Sequence, residues 1–187
     1  RPDAAVLVVT VRALKTHAGR YKVVPGKPLP SAMLEDNPDD VLAGAANLRK
    51  HIEIVREFGV SPVVALNVFP TDHPGEIDAV RKVAEAAGAH FASSTHVVDG
   101  GDGAVDLAHA VVAACDHKAD FRYTYDLEDS LVEKLTKVAT KVYGADGIDI
   151  APAAAKELAH FEDLGYGTFP VVIAKTHLSL SHDPSLK

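Results

Sequence analysis

The stretch from Ser61 to Asp72, SPVVALNVFPTD, limits the fold more than any other part of the chain. Its apolar run, Val63 to Leu66, is too short for a helix and is bounded by Pro62 and Pro70, so it reads as a strand buried on both faces. Strands of that kind belong to parallel sheets covered by helices on either side. The chain then turns polar at once, setting Asn67, Thr71 and Asp72 around the ring of Phe69. In an open α/β sheet, ligands bind beyond the carboxyl ends of the strands, so an amide, a ring, a hydroxyl and a carboxylate delivered there suit a binding edge. Pro70-Thr71-Asp72 is also ordinary turn chemistry and Phe69 can equally cap the core; the local sequence leaves both readings open.

The rest of the chain follows the same alternation. AAVLVVT, Ala4 to Thr10, is a second apolar, β-branched run and a second central strand. Val11 to Lys15 leads from it into a long segment reaching Asp36, in which Pro25, Pro28 and Pro30 argue against a helix and whose length suits a functional or mobile loop. Pro38, Asp39 and Asp40 look like a helix start, and apolar spacing carries one helix from Val41 to Phe58, stopped by Gly59. A helix over 75–87, a short strand over 89–93, the glycine-bearing loop SSTHVVDGGDG and a helix over 104–116 come next. Helices over 127–143 and 152–164 precede a last short strand, 169–174. The order predicts an α/β fold, a mostly parallel sheet flanked by helices with right-handed crossovers and a helical insert near 127–164. Residues 1–120 then form the sheet domain, and 121–187 carry the insert, the returning strand and the KTHLS loop.

Charge and cysteine content narrow the partners. With 19 Lys and Arg against 26 Asp and Glu the formal charge is -7, and no basic run offers a phosphate backbone a footprint, so nucleic acid is not expected. No apolar stretch is long enough to span a bilayer, and the first residues read as a strand rather than a signal peptide, so a cytoplasmic protein without membrane contact is expected. Cys115 is the one cysteine; its apolar helical setting predicts a core thiol and excludes an intrachain disulfide. Arg1 enters a strand with no cap before it and Lys187 follows a polar loop, which suits a segment of a longer chain.

No chemistry-bearing motif stands alone. The ten histidines include no pair with the helical spacing of a zinc site and its glutamate, so no metal site is expected. His96 and His177 are the two placed on loops that can meet a ligand. Gly100 to Gly103, GGDG, precedes a helix N-terminus that can face an anion, yet it lacks both the P-loop pattern and the full dinucleotide fingerprint. No Ser-His-Asp set or nucleophile elbow occurs, and no catalytic residue is assigned to this segment.

Taken in order, RPDAAVLVVTVRALKTHAG, NVFPTD, THVVDGGDGAVDLA, KVYGADGI and GYGTFPVVIAKTHLSLSHDP resemble successive motifs of the formate-tetrahydrofolate ligase family, ATP-dependent formyltetrahydrofolate synthetases, across nearly the whole chain. The resemblance implies a fragment from roughly the C-terminal two-fifths of a multidomain chain about three times longer, with a P-loop NTPase-like fold whose P-loop precedes residue 1. It implies that ATP phosphorylates formate to formyl phosphate and that the N10 amine of tetrahydrofolate attacks the activated carbonyl. ATP and Mg²⁺ would be held mainly by residues outside this segment, a monovalent cation is possible, the full-length enzyme would be a homo-oligomer, and the fragment alone would be inactive.

For the site, the resemblance implies that Phe69 stacks on the pterin, with Asn67, Thr71 and Asp72 shaping the pocket and Val97 at the second stacking position; His96, beside Val97 on its loop, is a further substrate-binding candidate. Val97 stands where the family has a tryptophan, and losing that wall costs about 0.5 to 1.5 kcal/mol of stacking beyond area. The family's K-T-Q-Y-S loop is Lys175-Thr176-His177-Leu178-Ser179 here, which implies nucleotide contacts from Lys175, Thr176 and Ser179. Arg12 and Lys15 match the family's V-R-A-L-K, where they can meet anionic ligand groups, another subunit or only solvent. Two other readings stay open beside the resemblance: a folate-binding or scaffolding domain that has lost catalysis, and a plain α/β interaction module.

Overall fold

Three strands, β1 (Ala4–Val9), β2 (Ser61–Asn67) and β3 (His90–Ser94), pair in parallel in the order β1-β2-β3. The computed structural model describes residues 1–24, 26–175, 180, 181 and 183. The register runs from Ala4 opposite Ser61 to Val9 opposite Leu66, and from Val63 opposite His90 to Asn67 opposite Ser94. Parallel pairing brings all three carboxyl ends to one edge, with β2 in the middle. Residues 62–66 are buried, as expected of a strand covered on both faces.

The chain divides into two compact units, Arg1–Phe121 and Arg122–Lys187. In the first, the core gathers Val64 and Leu66 of β2 with Leu14, Val41, Ile52 and Val80. These come from α1 (Val11–His17), α2 (Pro38–Ala43), α3 (Ala46–Glu57) and α4 (Pro74–Ala86). Full burial of each such side chain contributes about 1.5 to 3 kcal/mol. Val63 and Ala65 alternate with Val64 and Leu66, and α6 (Val105–Cys115) packs on β3 and β2.

Three expectations for this unit are corrected. Residues 11–17 are a helix, not the start of an irregular segment: Thr10 caps it by accepting from the Ala13 amide at 3.1 Å, and a 3₁₀ turn, Ser31–Leu34, interrupts the proline-rich stretch as well. The single helix over 41–58 is two helices, α2 and α3, broken at Gly44. A Cβ there would lie 1.8 Å from the Leu14 carbonyl oxygen, so α2 ends where its backbone meets α1. Cys115 is exposed rather than part of the core: α6 turns Ala114 inward and leaves Val112 and Cys115 outside.

In the second unit, α7 (Leu131–Lys137) continues as a π-helical turn over Val138–Val142, and α8 (Pro152–Asp163) starts on a proline at its first turn. The expected start near Leu127 falls instead at Leu131, because Ser130 caps α7: its Oγ accepts from the Glu133 amide at 3.2 Å, and Glu133 Oε2 accepts from the Ser130 amide at 2.9 Å. Residues 169–174 do not form the expected strand. Their backbone is met by side chains instead of a ladder. The Tyr125 hydroxyl donates to the Val171 carbonyl at 3.2 Å and accepts from its amide at 2.9 Å, and the buried Lys134 ammonium donates to the Gly167 and Phe169 carbonyls.

Candidate functional site

The end of β2 folds into a tight turn that brings together Phe69, Thr71 and Asp72, just beyond Asn67. The Phe69 amide donates to Asp72 Oδ2 at 2.9 Å, and the Asp72 amide donates to the Phe69 carbonyl at 2.9 Å. Phe69 is half-buried and stands outside the core cluster that β2 feeds. Burial raises the Asp72 carboxyl above its ordinary range; the Phe69 amide and the Arg12 charge oppose that shift without cancelling it. Asn67 Oδ1 is buried and accepts no hydrogen bond among the described residues.

Beside this turn stands a residue that sequence reasoning placed only loosely. The Arg12 guanidinium lies over the Phe69 ring, its Cζ 3.7 Å from the centroid, and one NH2 donates to Thr71 Oγ1 at 3.2 Å. Arg12 Nε is buried without a hydrogen-bond partner. The signal for this position was the V-R pair immediately after the β1 threonine: a helix capped by Thr10 starts at the strand end and leaves its second residue at the sheet edge.

Lys15 behaves differently from the ligand contact or solvated loop residue considered above. It is buried, with its Nζ 2.5 Å from Glu76 Oε1 and 2.7 Å from the Glu35 carbonyl. Glu76 Oε1 also accepts from the Asn37 amide at 3.2 Å, and Oε2 accepts from the His73 amide at 3.1 Å at the start of α4. A buried pair satisfied on both sides acts as a clasp between α1 and α4. Tyr21 and Asp40 extend this polar layer: the tyrosine hydroxyl donates to Asp40 Oδ2 at 2.5 Å, which raises the phenol pKa, and Arg20 pairs its charge with Asp40 at 2.7 Å without a directed hydrogen bond.

The end of β3 contributes α5 (His96–Asp99), a single helical turn that the sequence reads only as a polar loop. His96 is exposed with its Nδ1 2.9 Å from Ser94 Oγ, and Val97 and Val98 are 72% and 70% exposed. Gly103 lies so close under this turn that a Cβ would come within 2.6 Å of Thr95 Oγ1. Thr95 Oγ1 donates to Asp99 Oδ2 at 2.7 Å, which ties the turn to its own cap.

In the second unit, Lys175 lines a cleft of about 960 Å³ together with Tyr143, Ile148, Leu158, Phe161 and Ile173. Its Nζ sits 5.5 Å from the centroid of the Tyr143 ring. Thr176, His177 and Ser179 lie outside the described residues. Among the described residues no three His, Cys, Asp or Glu side chains gather as metal ligands, and no helix is long and apolar enough to cross a membrane.

Comparison with known proteins adds what geometry alone leaves open. A protein 97% identical over 187 residues, from Cutibacterium acnes, is named "Formate--tetrahydrofolate ligase"; the whole of this chain matches 33% of it. Proteins of the same name from Saccharopolyspora erythraea and Chloroflexus aurantiacus are 61% and 49% identical, again over the whole chain and 33% of their own length. The chain therefore spans about one third of the curated relatives it matches. The family model described as formate-tetrahydrofolate ligase matches residues 1–187. By that match, and by the motifs that place Phe69 at the open end of the sheet, this chain belongs to the formate-tetrahydrofolate ligase family.

Proposed function

We propose that the chain forms one third of an ATP-dependent ligase that makes 10-formyltetrahydrofolate, and that its sheet edge holds the pterin. In that reaction a formate oxygen takes the γ-phosphoryl group of ATP and ADP leaves. The N10 amine then attacks the formyl carbon, phosphate departs and the amine loses its proton. The observation that carries the assignment is Phe69: a half-buried ring outside the core, at the carboxyl end of the central parallel strand. A planar heterocycle gains contact area and offset stacking from such a ring.

Asn67, with its unpaired buried Oδ1, suits a ligand donor such as an amino or ring N–H group. Asp72 holds the Phe69 backbone in place, and Thr71, His96 and Val97 border the same edge. Lys175, Thr176 and Ser179 belong to the nucleotide side of the enzyme in this reading, and the apolar lining of the cleft beside Lys175 suits a base. The fold is of the P-loop NTPase type, with the P-loop, Mg²⁺ and any monovalent cation supplied by the rest of a longer chain that works as a homo-oligomer. Residues 1–120 carry the folate-site loops, and 121–187 carry the KTHLS loop.

The test is steady-state kinetics on the full-length enzyme. Phe69→Ala raises the KM for tetrahydrofolate by about tenfold, the scale of one lost aromatic contact, and leaves the KM for ATP nearly unchanged. Equal changes in both constants would contradict the assignment.

A further inference from the structure

Phe69 is held twice, and by different groups. Asp72 fixes its backbone through the two reciprocal 2.9 Å hydrogen bonds, but neither of these determines how the ring itself is turned. The ring face is covered by Arg12, whose Cζ lies over it 3.7 Å from the centroid while one NH2 is tied to Thr71 Oγ1 at 3.2 Å. Thr71 sits two residues beyond Phe69 on the same turn, so Arg12 bridges the turn and stacks on its ring in one conformation. Arg12 in turn starts from α1, which the buried Lys15–Glu76 pair clasps to α4. The position of the guanidinium is thereby set by the core rather than by solvent.

A phenyl ring has two faces, and here one of them is occupied by a cation. We infer that Arg12 is a positioning residue of the pterin site: it backs the Phe69 ring, fixes its plane and presents the opposite face to the ligand. The inference rests on the pterin reading above. A cation on one face draws π density toward itself, which favours an electron-rich, amino-substituted heterocycle on the other. It also accounts for how a site with Val97 where the family has a tryptophan keeps a rigid platform with a single aromatic wall. Lysine is a poor substitute in this role, because its ammonium has neither the plane nor the fork that stacks and reaches Thr71 together.

The test is a double-mutant cycle in the full-length enzyme with Arg12→Met, Phe69→Ala and both together, plus Arg12→Lys. Arg12→Met raises the KM for tetrahydrofolate by about fivefold, the scale of a part-buried cation–π contact, and leaves kcat and the KM for ATP unchanged. The unchanged KM for ATP serves as the control for folding. In the Phe69→Ala background the same substitution adds less than about twofold, because its effect passes through the ring. Arg12→Lys recovers only part of the loss. An Arg12→Met effect that persists in full without the ring would mean direct contact with the ligand and overturn the inference, as would an inert Arg12→Met beside an effective Phe69→Ala. A Phe69→Ala variant with unaltered tetrahydrofolate KM would overturn the pterin reading itself, and this inference with it.

Discussion

Asp72 shows how a single carboxylate serves the site at a cost to stability. Its Oδ2 accepts from the Phe69 amide, but burial raises its pKa above the ordinary 3.8. A carboxyl whose folded pKa is raised favours the folded state in its protonated form. Its contribution is therefore fully present below the unfolded pKa and is lost as pH rises through the folded one. Asp72→Asn retains an oxygen that can accept from the Phe69 amide and removes the titration. Relative to the parent chain it should gain stability as pH rises from the ordinary 3.8 through the raised folded pKa of Asp72 and then level off. Urea midpoints at several pH values measure this, and a difference that shrinks with rising pH would contradict it. At this scale the sequence was read well where a motif named the residue and poorly where the partner was distant. Phe69, Thr71 and Asp72 were legible as a group. Arg12 and Lys15 were legible only as charges after a strand, because the ring above one and the glutamate beside the other lie 57 and 61 positions further along, as the numbering shows.

Elements are bounded here by close approaches as much as by propensity. Apolar spacing over 41–58 supports one continuous helix, yet the chain breaks at Gly44, where the Leu14 carbonyl occupies the space a side chain would need. Gly59 was expected to stop α3 and does, with a left-handed φ of 70°. It has a second duty invisible in the sequence: a Cβ there would lie 1.9 Å from the Asp120 carbonyl oxygen, and the Asp120 amide donates to the Gly59 carbonyl at 3.0 Å. Gly59→Ala thus meets both the left-handed penalty of about 1 to 2 kcal/mol and a backbone collision. The expected loss exceeds about 2 kcal/mol, read as a lower denaturant midpoint, whereas Gly101→Ala, where a Cβ meets nothing within 4 Å, should cost less than about 1 kcal/mol. Near-normal stability of Gly59→Ala would refute the packing account. The missing strand at 169–174 belongs to the same lesson. An apolar run with β-branched residues carries strand propensity, but a ladder needs a neighbour, and Tyr125 and Lys134 satisfy that backbone instead.

For the molecule as a whole, the decisive fact is that this chain matches one third of its relatives. The proposed division of labour gives phosphate chemistry to the remainder. The purified 187-residue chain should therefore release no ADP in the presence of ATP, formate and tetrahydrofolate, and measurable turnover would show that the phosphoryl-transfer groups lie within it. The alternation of β-branched runs with helical periodicity was enough by itself to determine the α/β class, the parallel sheet and its central strand, because burial on both faces leaves a trace in the sequence. The family was equally legible, because its motifs are local strings. Where helices break, whether Cys115 is covered, and which cation lies on Phe69 were decided only by the tertiary structure, since each depends on contacts between residues that no local pattern brings together.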